Sequence, residues 1–298
     1  MILANHGIIS SSGGSLPLLL DAYSGASAAY SLRKLNTAYT GYAIRVRRSS
    51  DNTSQDIGFV GNSLDTSAIT TFVGSNDGYV SIWYDQSGNS KNATQVSLAN
   101  QPQIVISGTL QTLNSNPTLY FDGSSRYLDC GYLNGGTKPA DYSTFALARY
   151  TLSSYNYSAI MHSNSVAGTD YEGYNMVFLW NSGRMTGQSS TGSNGRFWYA
   201  NDYITLNQRY LFEGHYKSNT APYIGKYYFN NDSKTVTDWI YTAQNNSGTE
   251  YKTSIGRSGE YNGYYFKGEM QELVTYFSDQ VPNRTGISTD INTHYSIY

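Results

Sequence analysis

The stretch FKGEMQELVTYF, residues 266–277, decides the fold class. In an extended strand alternate side chains take opposite faces. Phe266, Gly268, Met270, Glu272, Val274 and Tyr276 are therefore expected on one side, and Lys267, Glu269, Gln271, Leu273, Thr275 and Phe277 on the other. Apolar residues fall on both sides, which marks a central strand covered on two faces. Moving upstream, further candidate strands are Thr253–Gly256, Tyr223–Phe229, Tyr210–Tyr216, Met176–Trp180, Ser143–Tyr150, Thr118–Phe121, Gln103–Ile106, Tyr79–Tyr84 and the half-buried, apolar–basic Ala43–Arg48, separated by Gly- or Asn-bearing turns. Many short strands with turn punctuation predict an all-β antiparallel sandwich. Helices are expected to be few. Ala26–Leu35 carries Ala29, Leu32 and Leu35 at helical spacing, Asp65 can cap Thr66–Val73 ahead of Gly74, and Pro282 can open a closing helix that presents Ile287, Ile291 and Tyr295 on one face.

Composition excludes several functions. The 298 residues hold 19 Lys+Arg against 21 Asp+Glu, a net charge of −2, and only 13% are charged. Without a basic stripe the chain is not expected to bind nucleic acid. No run of about 18 apolar residues is present, so no helix is expected to cross a membrane. Cys130 is the single cysteine, which leaves no internal disulfide. Residues 1–20 lack strand or helix periodicity and carry a Ser/Gly stretch at 10–15, so they read as an arm or anchor. No signal peptide is recognisable in them, and residues 21–298 read as one sandwich domain. The 30 Tyr suit half-buried strand faces and contact surfaces alike.

Two blocks look familiar. AYSLRKLNTAYTGYAIRVRRSSDNTSQDIGF (29–59) with VSIWYDQSGNSKNATQ (80–95) resembles the start of the catalytic domain of the arabinofuranosidase B family, so 21–100 reads as that portion. YFDGSSRYL (120–128) with IGRSGEYNGYYFKGEMQELVTY (255–276) resembles the laminin-G/concanavalin A-like lectin fold, so 101–298 reads as that portion. The second resemblance implies a concanavalin A-like, laminin-G-type jelly roll.

The first resemblance implies a glycosidase, which needs two carboxyl groups facing one sugar, about 5–5.5 Å apart for retention and wider for inversion. The six glutamates are Glu172, Glu213, Glu250, Glu260, Glu269 and Glu272. By strand alternation Glu269 and Glu272 point to opposite faces and cannot clamp one bond. The family also carries a vicinal Cys pair in its substrate pocket and a catalytic Glu in a later Cys-bearing segment. With Cys130 alone neither can be placed, so no catalytic residue transfers, and Asp85 and Gln86 of the matched block read as scaffold. Other chemistries have less support. His6, His162, His215 and His294 lack metal-ligand spacing, and no metal site is expected. Asp122 and Asp129 could ligate Ca²⁺, though turn hydrogen bonds suit them better. No other cofactor is implied.

The remaining reading is a binding or building part. Candidate carbohydrate or partner contacts are Tyr171, Tyr174, Trp198, Tyr199, Tyr261 and Tyr264, each in an aromatic-dense loop or strand end, with packing as the alternative role. Strings like the first block are also familiar among bacteriophage virion and tail-associated proteins. The expectation is therefore a non-enzymatic virion structural protein: a head fibre, decoration or tail adhesin used in host attachment. It would dock to other virion proteins through residues 1–20, contact a host surface glycan, and self-associate, as a trimer for a fibre. The alternative is an arabinofuranosidase-like glycoside hydrolase.

Overall fold

A computed structural model describes residues 17–151, 157–164, 173–179, 183–191, 194–217, 225–240, 250–258 and 263–298. The strand Lys267–Tyr276 is central, as its two-sided apolar pattern predicts. It pairs antiparallel with Asp141–Tyr150 along its whole length, and on its other edge with Leu119–Asp122 and then Ala28–Ser31. Asp141–Tyr150 pairs in turn with Arg209–Lys217, which pairs with Lys226–Phe229. A second series runs Leu128–Gly131, Thr253–Ile255, Ser158–Asn164, Gly173–Leu179, Met185–Thr191, Asn194–Ala200, Val236–Ile240. Gly78–Trp83 links the two, because its partners Gln103–Ile106 and Ala93–Thr94 continue into 119–122 and 128–131 respectively. The outcome is the expected antiparallel sandwich with short helices.

Two cores hold it. The larger lies between the sheets, where Ala146, Ala148, Met270 and Leu273 meet Leu128, Met161, Leu179 and Ile255. The smaller lies on the opposite face of the central sheet. There Phe145, Leu147, Leu211, Val274 and Tyr276 are covered by helix α1 (Leu19–Ala22) and helix α3 (Arg284–Tyr295). Ile287, Ile291 and Tyr295 form the buried face of α3, as their spacing predicts. Residues 1–16 lie outside the described residues. Leu19 and Leu20, at the end of the stretch read as an arm, are buried in the smaller core, a contribution of about 1.5–3 kcal/mol each.

The helix expected over 26–35 does not form. Ala28–Ser31 is a strand buried on both faces, with Ala28 and Tyr30 in the larger core and Ala29 in the smaller. Helix α2 (Thr66–Val73) has the expected bounds, with the Asp65 carboxylate accepting from Ala68 N at 2.9 Å. Asp65→Ala should cost about 1 kcal/mol, the usual worth of such a cap, read as a lower urea midpoint at unchanged slope.

Strand 267–276 departs from simple alternation. Leu147 faces Glu272 but Ala148 faces Met270, so Gln271 is an extra residue in a bulge. Cross-strand partners share a face, and Arg149 and Leu147 are two apart on theirs. Glu269 and Glu272 therefore lie on the same face, not on opposite ones as strict alternation had it.

Candidate functional site

Asp85 and Gln86 of the matched N-terminal block hold structural hydrogen bonds. The buried Asp85 carboxylate accepts from Ala29 N, Ser87 N, the Ser87 hydroxyl and Lys91 N. Gln86 accepts from Leu35 N and donates to the carbonyls of Ser31 and Arg33. Each arginine of RVRRSSD is also engaged. Arg45 forms a bidentate pair with Asp56, Arg47 donates to Gln101 and Asn52, and Arg48 pairs with Asp51. These bonds fix turns and strand register.

The described glutamates are committed as well. Glu213 accepts from the Ser288 hydroxyl at 2.8 Å beneath α3, beside Arg284. Glu250 is caged by Asn134 N and Gly136 N. Glu269 is held bidentate by Arg149. Glu272 is bound by Arg33 through two hydrogen bonds and by Ser31. The bulge brings Glu269 and Glu272 to one face, yet each is tied to its own guanidinium, so they form no catalytic pair. Glu172 and Glu260 lie outside the described residues.

Asp122 accepts from the backbone of Ser124, Ser125 and Arg126, and these bonds outweigh its burial to hold its carboxyl well below the usual range. That is turn chemistry. Among the described residues no three His, Cys, Asp or Glu side chains gather as metal ligands. Cys130 is buried, which pushes its thiol up to about 12.

Asp129 lies elsewhere, in a polar row on the second sheet. Leu128 and Ile255 point into the core, so their neighbours Asp129 and Ser254 face away from it, and Ser254 pairs with His162 on the next strand. The Ser254 hydroxyl donates to Asp129 Oδ1 at 2.7 Å, and Arg257 Nη2 reaches the same oxygen at 3.2 Å. The Arg257 guanidinium lies 3.6 Å from the centre of the Tyr127 ring, which packs near Tyr265. His162 Nδ1 meets the Ser258 hydroxyl at 2.8 Å, and burial pushes the imidazole down to about 3, so it is neutral. The Asp129 side chain remains 40% exposed. An accessible carboxylate beside a guanidinium and aromatic walls can hold sugar hydroxyls. Sequence reasoning found Asp129 only as a Ca²⁺ candidate and missed Arg257; the outward register of Asp129 next to core Leu128 was the available signal.

Of the six aromatic candidates, Tyr171 and Tyr261 lie outside the described residues. Tyr174 and Trp198 are placed by their backbones, in strands 173–179 and 194–200 of the second sheet. Tyr199 packs against Arg184, and Tyr264 packs on Tyr157 with centroids 5.2 Å apart. Registers place Tyr174 opposite Ser163 at one end of the sheet, whereas Tyr264 O accepts from Ala159 N at the other. Among the described candidates, Tyr174, Trp198 and Tyr199 lie in strands of the second sheet and Tyr264 lies beside it, apart from Tyr174.

The chain was compared with known proteins. Residues 21–117 match the family described as alpha-L-arabinofuranosidase B, catalytic. A solved arabinofuranosidase complexed with arabinofuranosyl-alpha-1,2-xylobiose superposes with a TM-score of 0.65 at 17% identity, covering 92% of this chain and 64% of that one. A GH54 α-L-arabinofuranosidase soaked with a cyclic sulfate inhibitor gives 0.65 at 16%, again over 92% of this chain and 64% of that one. A glutamate-to-glutamine mutant of GH54 α-L-arabinofuranosidase soaked with 4-nitrophenyl α-L-arabinofuranoside gives 0.63 at 16% with the same coverage. No curated protein matches. The present chain thus spans about 64% of the length of these solved chains.

These likenesses overturn the reading as a non-enzymatic virion fibre or adhesin. That reading rested on composition, on the lack of an export signal and on finding no catalytic acids from the sequence, and spacing along single strands cannot reveal a pair whose members come from separate segments. The chain is similar to the arabinofuranosidase B catalytic domain over residues 21–117 and shares its sandwich fold with solved arabinofuranosidases over 92% of its length.

Proposed function

We propose that this protein is a glycoside hydrolase that releases terminal α-L-arabinofuranosyl units. The observation that carries this reading is the match of residues 21–117 to an arabinofuranosidase catalytic family, joined to the same fold over nearly the whole chain. Hydrolysis requires one carboxylic acid to protonate the leaving oxygen and a second carboxylate to attack the anomeric carbon or activate water. Glu213, Glu250, Glu269 and Glu272 each hold a structural bond that catalysis would have to break. Of the six glutamates, Glu172 and Glu260 are the two proposed to carry the reaction. The Asp129–Arg257 pair, whose Asp129 side chain is accessible, would orient sugar hydroxyls. A vicinal cysteine pair has no counterpart in a chain whose lone Cys130 is buried, so the sugar pocket here is built from other residues.

The test is release of 4-nitrophenolate from 4-nitrophenyl α-L-arabinofuranoside. Glu172→Gln and Glu260→Gln should each lower kcat at least about 100-fold, the usual worth of a general acid or base, with unfolding midpoints unchanged. No turnover by the wild type on this substrate or on arabino-oligosaccharides overturns the reading. Full activity in both variants overturns the assignment of the acids.

A further inference from the structure

A cleft of about 220 Å³ opens between three elements that the hydrolase reading does not use. One wall is the hairpin Phe59–Val60/Ser63–Leu64, the second is the hairpin Thr112–Leu113/Asn116–Pro117, and the third is the C-terminal end of α3. Leu64 and Pro117 give it apolar surface, while Ser63, Ser115, Asn116 and His294 bring hydroxyl, amide and imidazole groups. Among the described residues no carboxylate, lysine or arginine lines it.

The walls are fixed before any ligand arrives. Asn114 Nδ2 donates to the carbonyls of Tyr295 and Ser296, tying the second hairpin to the end of α3. Arg33 bridges to Ser63, tying the first hairpin to the central sheet. The Tyr295 hydroxyl donates to buried Glu272, and the His294 ring stands edge-on to the Tyr295 ring at 4.5 Å. Burial and the nearby Arg33 push the His294 imidazole down from its ordinary value, so it is neutral at pH 7 and can both donate and accept.

Ligand chemistry follows from this lining. A helix C-terminus carries partial negative charge and disfavours anions. Neutral donor–acceptor groups over an apolar floor suit a polyhydroxylated ring, and the volume is below the 300–1,000 Å³ typical of larger ligands. We propose that this cleft binds a single neutral sugar unit. Without a carboxylate it holds a sugar but cannot cleave a glycosidic bond, so it goes beyond the hydrolytic reading and does not depend on it.

Titration of the full chain with L-arabinose or D-xylose should shift the His294 ring signals saturably in NMR spectra, assigned by their loss in His294→Ala. A Kd of about 1–10 mM is expected of a few hydrogen bonds in a wet cleft. D-glucuronate, an anion of similar size, should leave these signals unmoved. Ser63→Trp, which fills the cleft from its rim, should abolish the shift while turnover of 4-nitrophenyl α-L-arabinofuranoside stays at the wild-type rate. The proposal is overturned if no neutral sugar moves His294 up to about 100 mM, if glucuronate moves it equally, or if Ser63→Trp leaves the titration intact. Absence of turnover in the wild type would overturn the hydrolase reading alone.

Discussion

Arg33→Met is expected to lower the stability of this protein by about 3–5 kcal/mol, the cost of leaving a buried charge without its partner. Arg33 and Glu272 are 7% and 1% exposed and meet through two hydrogen bonds of 2.8 and 2.9 Å. Arg33 also reaches Asp290 on α3 at 2.6 Å, and Glu272 accepts from Ser31 and Tyr295. One cluster thus joins strand 28–31, strand 267–276 and α3. Burial alone would raise the Glu272 carboxyl, but the charge and hydrogen bonds of Arg33, with the Ser31 hydroxyl, hold it below its ordinary value of 4.5. A carboxyl depressed by folding stabilises fully above that ordinary value, and this stability is lost as pH falls below it. In Arg33→Met the sign reverses, because an unpaired buried carboxyl is raised by burial, and its cost is relieved by protonation. The deficit against wild type should therefore shrink as pH is lowered from 7 toward 4.5. Arg33→Met/Glu272→Gln should recover part of the loss at neutral pH. Urea midpoints across this range decide it; a deficit under about 1 kcal/mol, or one that grows on acidification, would show the cluster behaving as an exposed pair.

That cluster also shows where sequence reasoning reaches its limit. Strands bounded by local turn signals were legible, since Ala43–Arg48, with its apolar–basic alternation, and Gln103–Ile106 match Ile44–Arg48 and Gln103–Ile106 closely. So were Asp65 as a cap and the Ile287–Ile291–Tyr295 face, which depend on neighbours within two turns. Ala28–Ser31 was not, because it is buried on both faces, and a run that is apolar all round cannot be told from a buried helix by period. Its pairing with Val274 and Leu273, far along the chain, settles its state. The bulge at Gln271 was hidden for the same reason: a register shift depends on the partner strand, and it moves Glu269 to the face of Glu272. For the candidate site, residue types were readable and grouping was not. Arg257, Ser254 and Asp129 meet only because strands 128–131 and 253–255 pair. Asp85, read as scaffold, holds structural bonds, but the virion role inferred from composition, unplaced catalytic residues and the absence of an export signal fell to the comparison with arabinofuranosidases.

Gly268→Ala should cost about 4 kcal/mol or more, the range reserved for substitutions that a fold cannot absorb. Gly268 lies in the central strand opposite both Tyr150 and Phe121, at φ +149, so it has a strand on either side. A Cβ there would sit 1.9 Å from the Arg149 carbonyl oxygen and 3.0 Å from Phe266 Cζ. Arg149 O is backbone and cannot swing aside; relief requires moving strand 141–150 or strand 267–276. Either movement strains the Thr151 N to Lys267 O bond, the Arg149–Glu269 pair and the contacts of Phe266 with Phe121 and Tyr150. Gly131→Ala separates this clash from the general difficulty of positive φ. Gly131 has φ +69 with nothing within 4 Å of a Cβ, so only the left-handed backbone penalty of about 1–2 kcal/mol applies. Thermal and urea unfolding of both variants should place Gly268→Ala well below Gly131→Ala, and equal losses would mean that the strands yield without cost. Phe266 N donates to Gly256 O, and Glu260 falls between these two residues in sequence. On the hydrolase reading proposed above, any Gly268→Ala protein that folds should also turn over 4-nitrophenyl α-L-arabinofuranoside more slowly than Gly131→Ala at the same folded fraction.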